Sequence, residues 1–191
     1  MNEQKSVNLT TTIHSLDKKG SGMALEYRDH GGNKPRKLKL NIPQTLIGEE
    51  VEVDVPNADG RKRATVMPSK ILKPHEERVP PPCPHFEMCG GCVWQHWEYE
   101  GQLNYKTDLV KSFLENHDFD TFVVKDTIGM DNPFEFRNKM EFTFSKEGHL
   151  GLHELGNFRN IIDLDTCLIS SKDMVSVMKI VSEWAKDFDL P

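Results

Sequence analysis

Residues 83–92 read CPHFEMCGGC, and this stretch holds three of the four cysteines of the 191-residue chain. Its pattern is C-x5-C-x2-C, and the fourth cysteine, Cys167, lies 75 positions beyond Cys92. Three thiols on one loop can reach a single inorganic centre without long-range folding, and a distant fourth ties the end of a domain back to its beginning. Gly90 and Gly91 allow the tight turn that such a loop needs, because glycine has no Cβ. The spacing therefore predicts a metal-binding loop with these ligands: Cys83, Cys89, Cys92 and Cys167.

The grouping of the four ligands bears on the kind of metal centre. Four-thiolate zinc sites usually consist of two close pairs of cysteines. Here the grouping is three plus one, which favours a cubane iron–sulfur cluster, and zinc stays an alternative. His85 and His96 are near enough in sequence to replace a ligand, but such histidines are more often surface or packing residues. The predicted ligand set is therefore the cysteines alone.

Composition and the lack of sorting signals predict a cytoplasmic protein. Charged residues make up 28% of the chain and the mean hydropathy is -0.57. No apolar run approaches the roughly 18 residues of a membrane helix, and the polar start leads into no secretory signal. In a reducing compartment, four cysteines are more often metal ligands than disulfides. No membrane or DNA partner is expected, and the chain is expected to be a monomer.

A proline-rich segment, residues 74–84, divides the chain into two predicted domains. Its five prolines disfavour both helix and the interior of a sheet. Before it, residues 1–73 contain five short stretches with β-branched or alternating residues and turn residues between them, which is typical of a small β-barrel of the oligonucleotide-binding (OB-like) type. After it, residues 85–191 read as a small α+β domain, whose first ligand, Cys83, lies in the linker. The predicted strands of the barrel are Val7–Ile13, Met23–Tyr27, Lys37–Ile42, Val51–Val55 and a last strand from Arg63 to near Leu72.

The second predicted domain mixes helices and strands around the cysteine loop. Its apolar spacing predicts two helices, residues 98–116 and 172–188, the second capped by Ser171. The apolar stripes of both helices are expected to be core. Four rings near the cysteine loop are expected to shield the metal rather than to stack on a base: Phe86, Trp94, Trp97 and Tyr99. The predicted strands are Arg137–Phe144, a hairpin partner His149–His153 and a third strand from Phe158 to Leu164.

The net charge of -6 argues mildly against a simple nucleic-acid binder, because contacts to phosphates need Lys and Arg. The charge is uneven: residues 1–80 carry 14 basic against 11 acidic residues, and residues 81–191 carry 10 against 19. Any RNA binding must therefore depend on local basic patches. Two basic runs of the predicted barrel lie on or beside turns and suit a phosphate backbone, although solvated charge is the commoner role of any single lysine. The runs are Lys34, Arg36, Lys37 and Lys39, and Arg61, Lys62 and Arg63.

The stretch from Arg78 to Cys92, RVPPPCPHFEMCGGC, resembles the cluster motif of bacterial RNA uracil-C5-methyltransferases, in particular the branch that modifies 23S ribosomal RNA. Residues 7–73 are similar to the TRAM domain that precedes the cluster domain in that family. The resemblance implies a [4Fe-4S] cluster on the four cysteines and RNA as the partner. The agreement continues at Trp94-Gln95-His96, Gln102-Leu103, Lys106, Phe136-Arg137-Asn138-Lys139 and Asp165-Thr166-Cys167.

The same resemblance makes Arg137 and Lys139 the best individual RNA contacts, with Arg159 as a weaker third. The alternative for Arg137 and Lys139 is pairing across strands with Glu141 or Glu154. In this interpretation the cluster is structural or supports RNA docking, because uracil methylation has no electron-transfer step.

The resemblance covers only the front part of such enzymes. The domain that binds S-adenosylmethionine (SAM) is expected to follow, yet the chain contains no glycine-rich nucleotide loop after a strand. Methylation at C5 of uracil also needs a nucleophile that adds at C6, and all four cysteines are committed to the metal. We therefore expect a truncated, RNA-recognising part of a SAM-dependent 23S rRNA uracil-C5-methyltransferase that is inactive alone. Two alternatives stay open: a stand-alone iron–sulfur redox or sensor protein, and a zinc-stabilised RNA-binding module.

Overall fold

The structure, a computed structural model, describes residues 6–28, 35–56, 62–117, 119 and 121–187. The chain divides into two compact units, Met1–Arg78 and Val79–Pro191. Across the described residues, ten strands and two helices make the fold predominantly β-sheet. Within those same residues, no helix is both long and apolar enough to cross a membrane.

The first unit contains two sheets. Its strands are β1 (Ser6–Thr12), β2 (Ser15–Leu16), β3 (Gly22–Arg28), β4 (Arg36–Ile42), β5 (Glu50–Pro56), β6 (Arg63–Thr65) and β7 (Pro68–Lys73). One sheet has the order β1-β5-β7 and the other β2-β3-β4-β6. Neighbours are antiparallel except β4 and β6, which are parallel. The strands that the structure describes do not close into a single barrel.

The core of the first unit follows from the alternation in β4 and β5. In a strand, every second side chain points to the same face, and the apolar positions of these two strands are buried while most of the polar ones are not. Burying each such side chain contributes about 1.5–3 kcal/mol, so this pattern dictates which face of each sheet turns inward. The buried positions are Leu38, Leu40 and Ile42 of β4, and Val51, Val53 and Val55 of β5.

The last predicted strand, from Arg63 to near Leu72, is wrong as a single element. It divides into β6 and β7, which belong to different sheets. The chain leaves the sheet that contains β4 and β6 after Val66, whose N–H donates to the carbonyl of Asn41 at 3.0 Å. Pro68 has no N–H to continue that ladder, and it begins the strand that pairs with β5.

A buried ion pair holds the connection between β4 and β5. The side chain of Glu49 is fully buried, and its carboxylate accepts hydrogen bonds from Nε and Nη2 of Arg78. The backbone N–H groups of Leu46 and His75 donate to the same carboxylate at 2.9 and 3.1 Å. Burial raises the pKa of Glu49, but the hydrogen bonds and the charge of Arg78 outweigh it, so the pKa is lowered from its ordinary 4.5. Nη2 of Arg78 also donates to the carbonyl of Gln44 at 2.7 Å, so one guanidinium fastens the end of this unit to its central loop.

The second unit contains α1 (Tyr99–Glu115), β8 (Thr143–Phe144), β9 (Leu150–Glu154), β10 (Asn157–Asp163) and α2 (Lys172–Asp187). The three strands form an antiparallel sheet in the order β10-β9-β8, with an irregularity in the pairing between Asn157 and Ile161. The start of α2 is capped as expected, because the Ser171 hydroxyl accepts the N–H of Met174 at 3.3 Å. The buried core residues are Cys89, Leu150, Leu164 and Met178.

The predicted strand Arg137–Phe144 is wrong over most of its length, since only β8 survives as strand. The N–H groups of Glu135 and Arg137 donate instead to the carbonyls of Leu168 and Ile169, at 2.9 and 2.8 Å. The start of the predicted strand therefore pairs with the segment that follows Cys167, and only its end, β8, pairs with β9.

The expectation that both apolar helix stripes are core is wrong for most of α1. Leu109, Val110 and Phe113 are exposed, Phe113 by 57%, and the buried residues of α1 are Gly101 and Thr107. In α2 the stripe is partly core. Of the predicted stripe, Met178 is buried and Val181 packs on the core, but Val177 and Trp184 are exposed. Phe188 lies outside the described residues. The amphipathic spacing thus predicted both helices, but not which of their apolar residues are buried.

Candidate metal centre

The four cysteines line one small cavity in the second unit. All four are free thiols. Cys89 and Cys167 are buried, and Cys83 and Cys92 are half-buried. Apolar side chains make up most of the remaining wall, from Phe86, Leu152, Leu164, Leu168 and Ile169. The predicted ligands are therefore brought together from positions as far apart as 83 and 167.

Short hydrogen bonds shape the loop that carries the first three thiols. The N–H of Cys89 donates to the carbonyl of His85 at 2.7 Å, and the N–H of Gly90 donates to the carbonyl of His153 on β9 at 2.9 Å. A Cβ added at Gly90 would lie 3.2 Å from that same carbonyl oxygen. The Gly91 N–H points to Sγ of Cys89 at 3.4 Å. Glycine suits this place because a Cβ at Gly90 would crowd the edge of β9, on which the loop lies directly.

The pKa of each of two thiols is raised inside this cavity. Burial raises the pKa of Cys89, although the Gly91 N–H opposes the change. Burial also raises the pKa of Cys92 to about 11, against a hydrogen bond from Gln95. The neighbouring cysteines add to both shifts, because thiolates close together repel one another. Metal ligands must be thiolates, so these groups need a cation nearby to stay ionised at neutral pH.

The donors fit a thiolate-bound centre, but the space is narrow. The free volume inside the cysteine cavity is about 20 Å³, which is about the size of one water molecule. In the part of the chain that the structure describes, no three or more His, Cys, Asp or Glu side chains are arranged to hold a metal ion.

Gln95 supports the cysteine loop, a role that the sequence analysis missed. Its Oε1 accepts the backbone N–H of Cys83 at 3.2 Å, and its side chain lies near enough to Cys92 to oppose the rise in the pKa of that thiol. One amide thus contacts both the start and the end of the cysteine loop. The only signal in the sequence was its place between Trp94 and His96 in the resembling motif.

An aromatic pocket lies beside the cysteine cavity and shares part of its wall. Its volume is about 670 Å³, and Gly91, Cys92, Gln95 and Ile169 line both spaces. The expected shielding role suits Phe86, which is buried and lines the cysteine cavity. The other rings expected to shield the metal line this aromatic pocket instead: Trp94, Trp97 and Tyr99.

The predicted RNA contacts occupy different settings and stay predictions. In the second unit, Arg137 lines the aromatic pocket, Lys139 pairs with Glu141 at 3.0 Å, and Arg159 is exposed on β10. In the first unit, Lys37, Lys62 and Arg63 are exposed. Arg63 faces Lys39 across β4 and β6, and both line a cleft with Asp17. Lys34 and Arg61 lie outside the described residues.

Comparison with curated proteins assigns the chain to a class. A relative from Enterococcus faecalis is 33% identical over 187 residues, 92% of this chain, and is named an uncharacterized RNA methyltransferase. Relatives with the same description come from Clostridium tetani, 32% identical over 85% of the chain, and Halalkalibacterium halodurans, 35% identical over 78%. No protein-family model matches the chain.

Over most of its length, the chain is therefore a relative of proteins named RNA methyltransferases, and the resemblance drawn from the cysteine motif is confirmed at this level. The chain spans about two fifths of the length of these relatives, 41% of the one from E. faecalis and 36% of the one from C. tetani.

Proposed function

We propose that this chain is the RNA-recognition part of a SAM-dependent uracil-C5-methyltransferase that acts on 23S ribosomal RNA. Its first domain, residues 1–73, is proposed to be of the TRAM type, related to the OB barrel. Residues 74–84 are the linker, and residues 85–191 carry a structural [4Fe-4S] cluster. The observation that carries the proposal is the meeting of four cysteines at one cavity in a chain whose relatives are named RNA methyltransferases.

Cys83, Cys89, Cys92 and Cys167 are the proposed ligands. When bound, the cluster would supply a rigid cross-link between the 83–92 loop and the segment around Cys167. The three-plus-one grouping supports a cluster over zinc. A single zinc ion on the same four thiolates is the second candidate, and a zinc-stabilised RNA-binding module follows from it.

The chain's own contribution to the reaction is proposed to be RNA binding. Its four cysteines are committed to the metal, so none remains to add to C6 of uracil, and we place both the nucleophile and SAM binding outside these 191 residues. The proposed RNA contacts are Arg137, Lys139, Arg159, Lys37, Arg61, Lys62 and Arg63. The proposed setting is a monomer in the cytoplasm.

Metal analysis of anaerobically purified protein tests the cluster. We expect iron and acid-labile sulfide in equal amounts, about four of each per chain, and their loss in Cys89→Ser. Met88→Ala is the matched control, because Met88 lies on the same loop but is exposed and should leave the iron content unchanged. Zinc without sulfide would support the second candidate and overturn the cluster.

Binding to a 23S rRNA fragment at several salt concentrations tests the RNA-recognition role. We expect the affinity to fall with salt along a clear logarithmic slope, because each contacted phosphate releases counterions. Iron and sulfide without any RNA binding would contradict this role and leave a redox or sensor protein.

A further inference from the structure

The aromatic pocket of the second unit has walls that are held in place by hydrogen bonds. Nε2 of Gln102 on α1 donates to the carbonyls of Trp94 and Trp97, at 3.1 and 2.9 Å. The hydroxyl of Tyr99 accepts the N–H of Met130 at 3.0 Å. These bonds join three segments: the loop after Cys92, the first turns of α1, and the chain around residue 130. Specific hydrogen bonds thus hold the walls of the pocket, and its volume of about 670 Å³ is in the range of small-molecule sites.

The backbone at Gly129 lies close against helix α1, next to the wall of the aromatic pocket. A Cβ added at Gly129 would lie 2.7 Å from Cδ1 of Leu103 on α1. The chain can therefore lie against the helix just before it forms the wall with Met130, Phe134 and Phe136.

The pocket combines flat rings with cations. Trp94, Phe134 and Phe136 line it, and so do Lys106 and Arg137. Phe136 is exposed by 53%, so its ring is accessible from solvent. An aromatic wall offers a face to any nucleobase, and Lys and Arg offer donors to a phosphate.

Some cations of this unit form ion pairs, whereas the two that line the pocket form none within the described residues. Lys111 pairs with Asp108, Lys139 with Glu141 and Lys172 with Glu135. Within the described residues, Lys106 and Arg137 form no ion pair. Among the described residues, Glu98 is the one carboxylate that lines the pocket. The cations of the pocket therefore outnumber its acids, although the unit as a whole is acidic.

We propose that this pocket holds one unstacked nucleotide of a single-stranded RNA segment. Its base lies against the aromatic wall that includes Phe136, and its phosphate lies near Lys106 and Arg137. This inference rests on the proposed RNA-recognition function. It adds which residues of the protein would hold an RNA base that is not stacked on its neighbours.

The test compares two ligands of equal charge on the anaerobically purified 191-residue chain. One is a single-stranded decaribonucleotide, and the other is an abasic ribose-phosphate chain of the same length. The ratio of their affinities isolates the contribution of the bases. We expect Phe136→Ala to lower that ratio about tenfold, because stacking on one ring is worth about 1–3 kcal/mol per base. Phe136→Leu keeps the apolar contact without the flat ring, and should lower it too.

Three further variants distinguish binding in the pocket from binding elsewhere on the surface. Phe158→Ala removes a ring that is 77% exposed and does not line the pocket, and it should keep the ratio. Arg137→Ala should weaken both ligands equally and reduce the salt slope by about one, as expected for one phosphate contact. Lys172→Ala, at a cation paired with Glu135, should change neither.

The outcomes distinguish this inference from the proposed function. Salt-dependent RNA binding with an unchanged ratio in both Phe136 variants would overturn the nucleotide pocket and leave the RNA-recognition role intact. Absence of RNA binding by the wild-type chain would overturn both. A change of oligomeric state in the Phe136 variants, with RNA binding unaltered, would identify a protein as the occupant and overturn the inference. Far-UV circular dichroism of each variant excludes unfolding as the cause.

Discussion

Replacing Arg78 by alanine leaves the buried Glu49 carboxylate with the backbone N–H groups of Leu46 and His75 as its hydrogen-bond donors. Removing one partner of a buried pair typically costs about 3–5 kcal/mol, because the other charge stays buried. The side chain of Arg78 is 21% exposed and the two N–H groups remain, so we expect the lower end, about 3 kcal/mol. For a unit of this size, such a loss lowers the melting temperature by about 12–24 °C.

Hydrogen exchange measured by mass spectrometry is the suitable assay, because the chain has two units. Peptides from residues 35–56 follow the first unit. Tryptophan fluorescence follows the second, since Trp94, Trp97 and Trp184 all lie there. In Arg78→Ala, exchange in the 35–56 peptides should accelerate by roughly a hundredfold, which corresponds to about 3 kcal/mol. The tryptophan signal of the second unit should keep its transition.

Two further variants sharpen the interpretation. Arg63→Ala removes an exposed arginine of the same unit and should change stability by less than about 0.5 kcal/mol. Arg78→Lys keeps the charge but loses the planar fork that reaches both Glu49 and the Gln44 carbonyl, so an intermediate loss is expected.

The pH dependence provides an independent check. The pKa of Glu49 is lowered in the folded chain, so its contribution to stability is complete above the unfolded value of about 4.5 and is lost as the pH falls through the lower folded value. The difference between wild type and Arg78→Ala should therefore shrink as the solution is acidified below about pH 4.5. If Arg78→Ala and Arg63→Ala are equally stable at pH 7, the ion pair between Arg78 and Glu49 does not stabilise the first unit. The same conclusion follows if the stability loss in Arg78→Ala persists undiminished in acid.

Two other substitutions test how the second unit is held together. Gly151→Ala should destabilise that unit by about 3 kcal/mol or more in urea unfolding followed by tryptophan fluorescence, because the new Cβ would lie 1.8 Å from the carbonyl oxygen of Ile162. Ser171→Ala should cost about 1 kcal/mol by the same measurement, because the hydroxyl accepts the N–H of Met174 at the start of α2.

Each of these has a matched comparison in the chain. Phe158→Ala removes an exposed ring on β10 that stacks on His153, and it should cost at most about 1.5 kcal/mol. Ser176→Ala removes a hydroxyl inside α2 that bonds to the Lys172 carbonyl and should be neutral or slightly stabilising. If Ser171→Ala and Ser176→Ala have equal effects, the capping argument fails.

Much of the first unit was predictable because its strands carry a local signal. The alternation at Lys37–Ile42 and Val51–Val55 predicted β4 and β5 to within one or two residues, since a side-chain period of two dictates which face is buried. The burial of Glu49 was not predictable, because its partner Arg78 is 29 positions away. A glutamate beside a strand looks solvated until folding brings the guanidinium to it.

The second unit illustrates what non-local pairing decides. The alternation at 137–144 predicts a strand, but Glu135 and Arg137 donate to carbonyls of Leu168 and Ile169, and no local pattern specifies that choice. Likewise, the spacing of Leu109 and Phe113 predicts an amphipathic helix, and only the packing reveals that this face is exposed.

By itself, the sequence determined the four cysteines as a group, the two helices, the main strands and the family resemblance, because each depends on local spacing or on a short motif. Only the tertiary structure placed Cys167 in the cavity of the 83–92 loop and brought Lys106 and Arg137 into one aromatic pocket. The physical reason is that such contacts join residues 31 to 84 positions apart. Their free energy depends on burial and partners that exist only after the chain has folded.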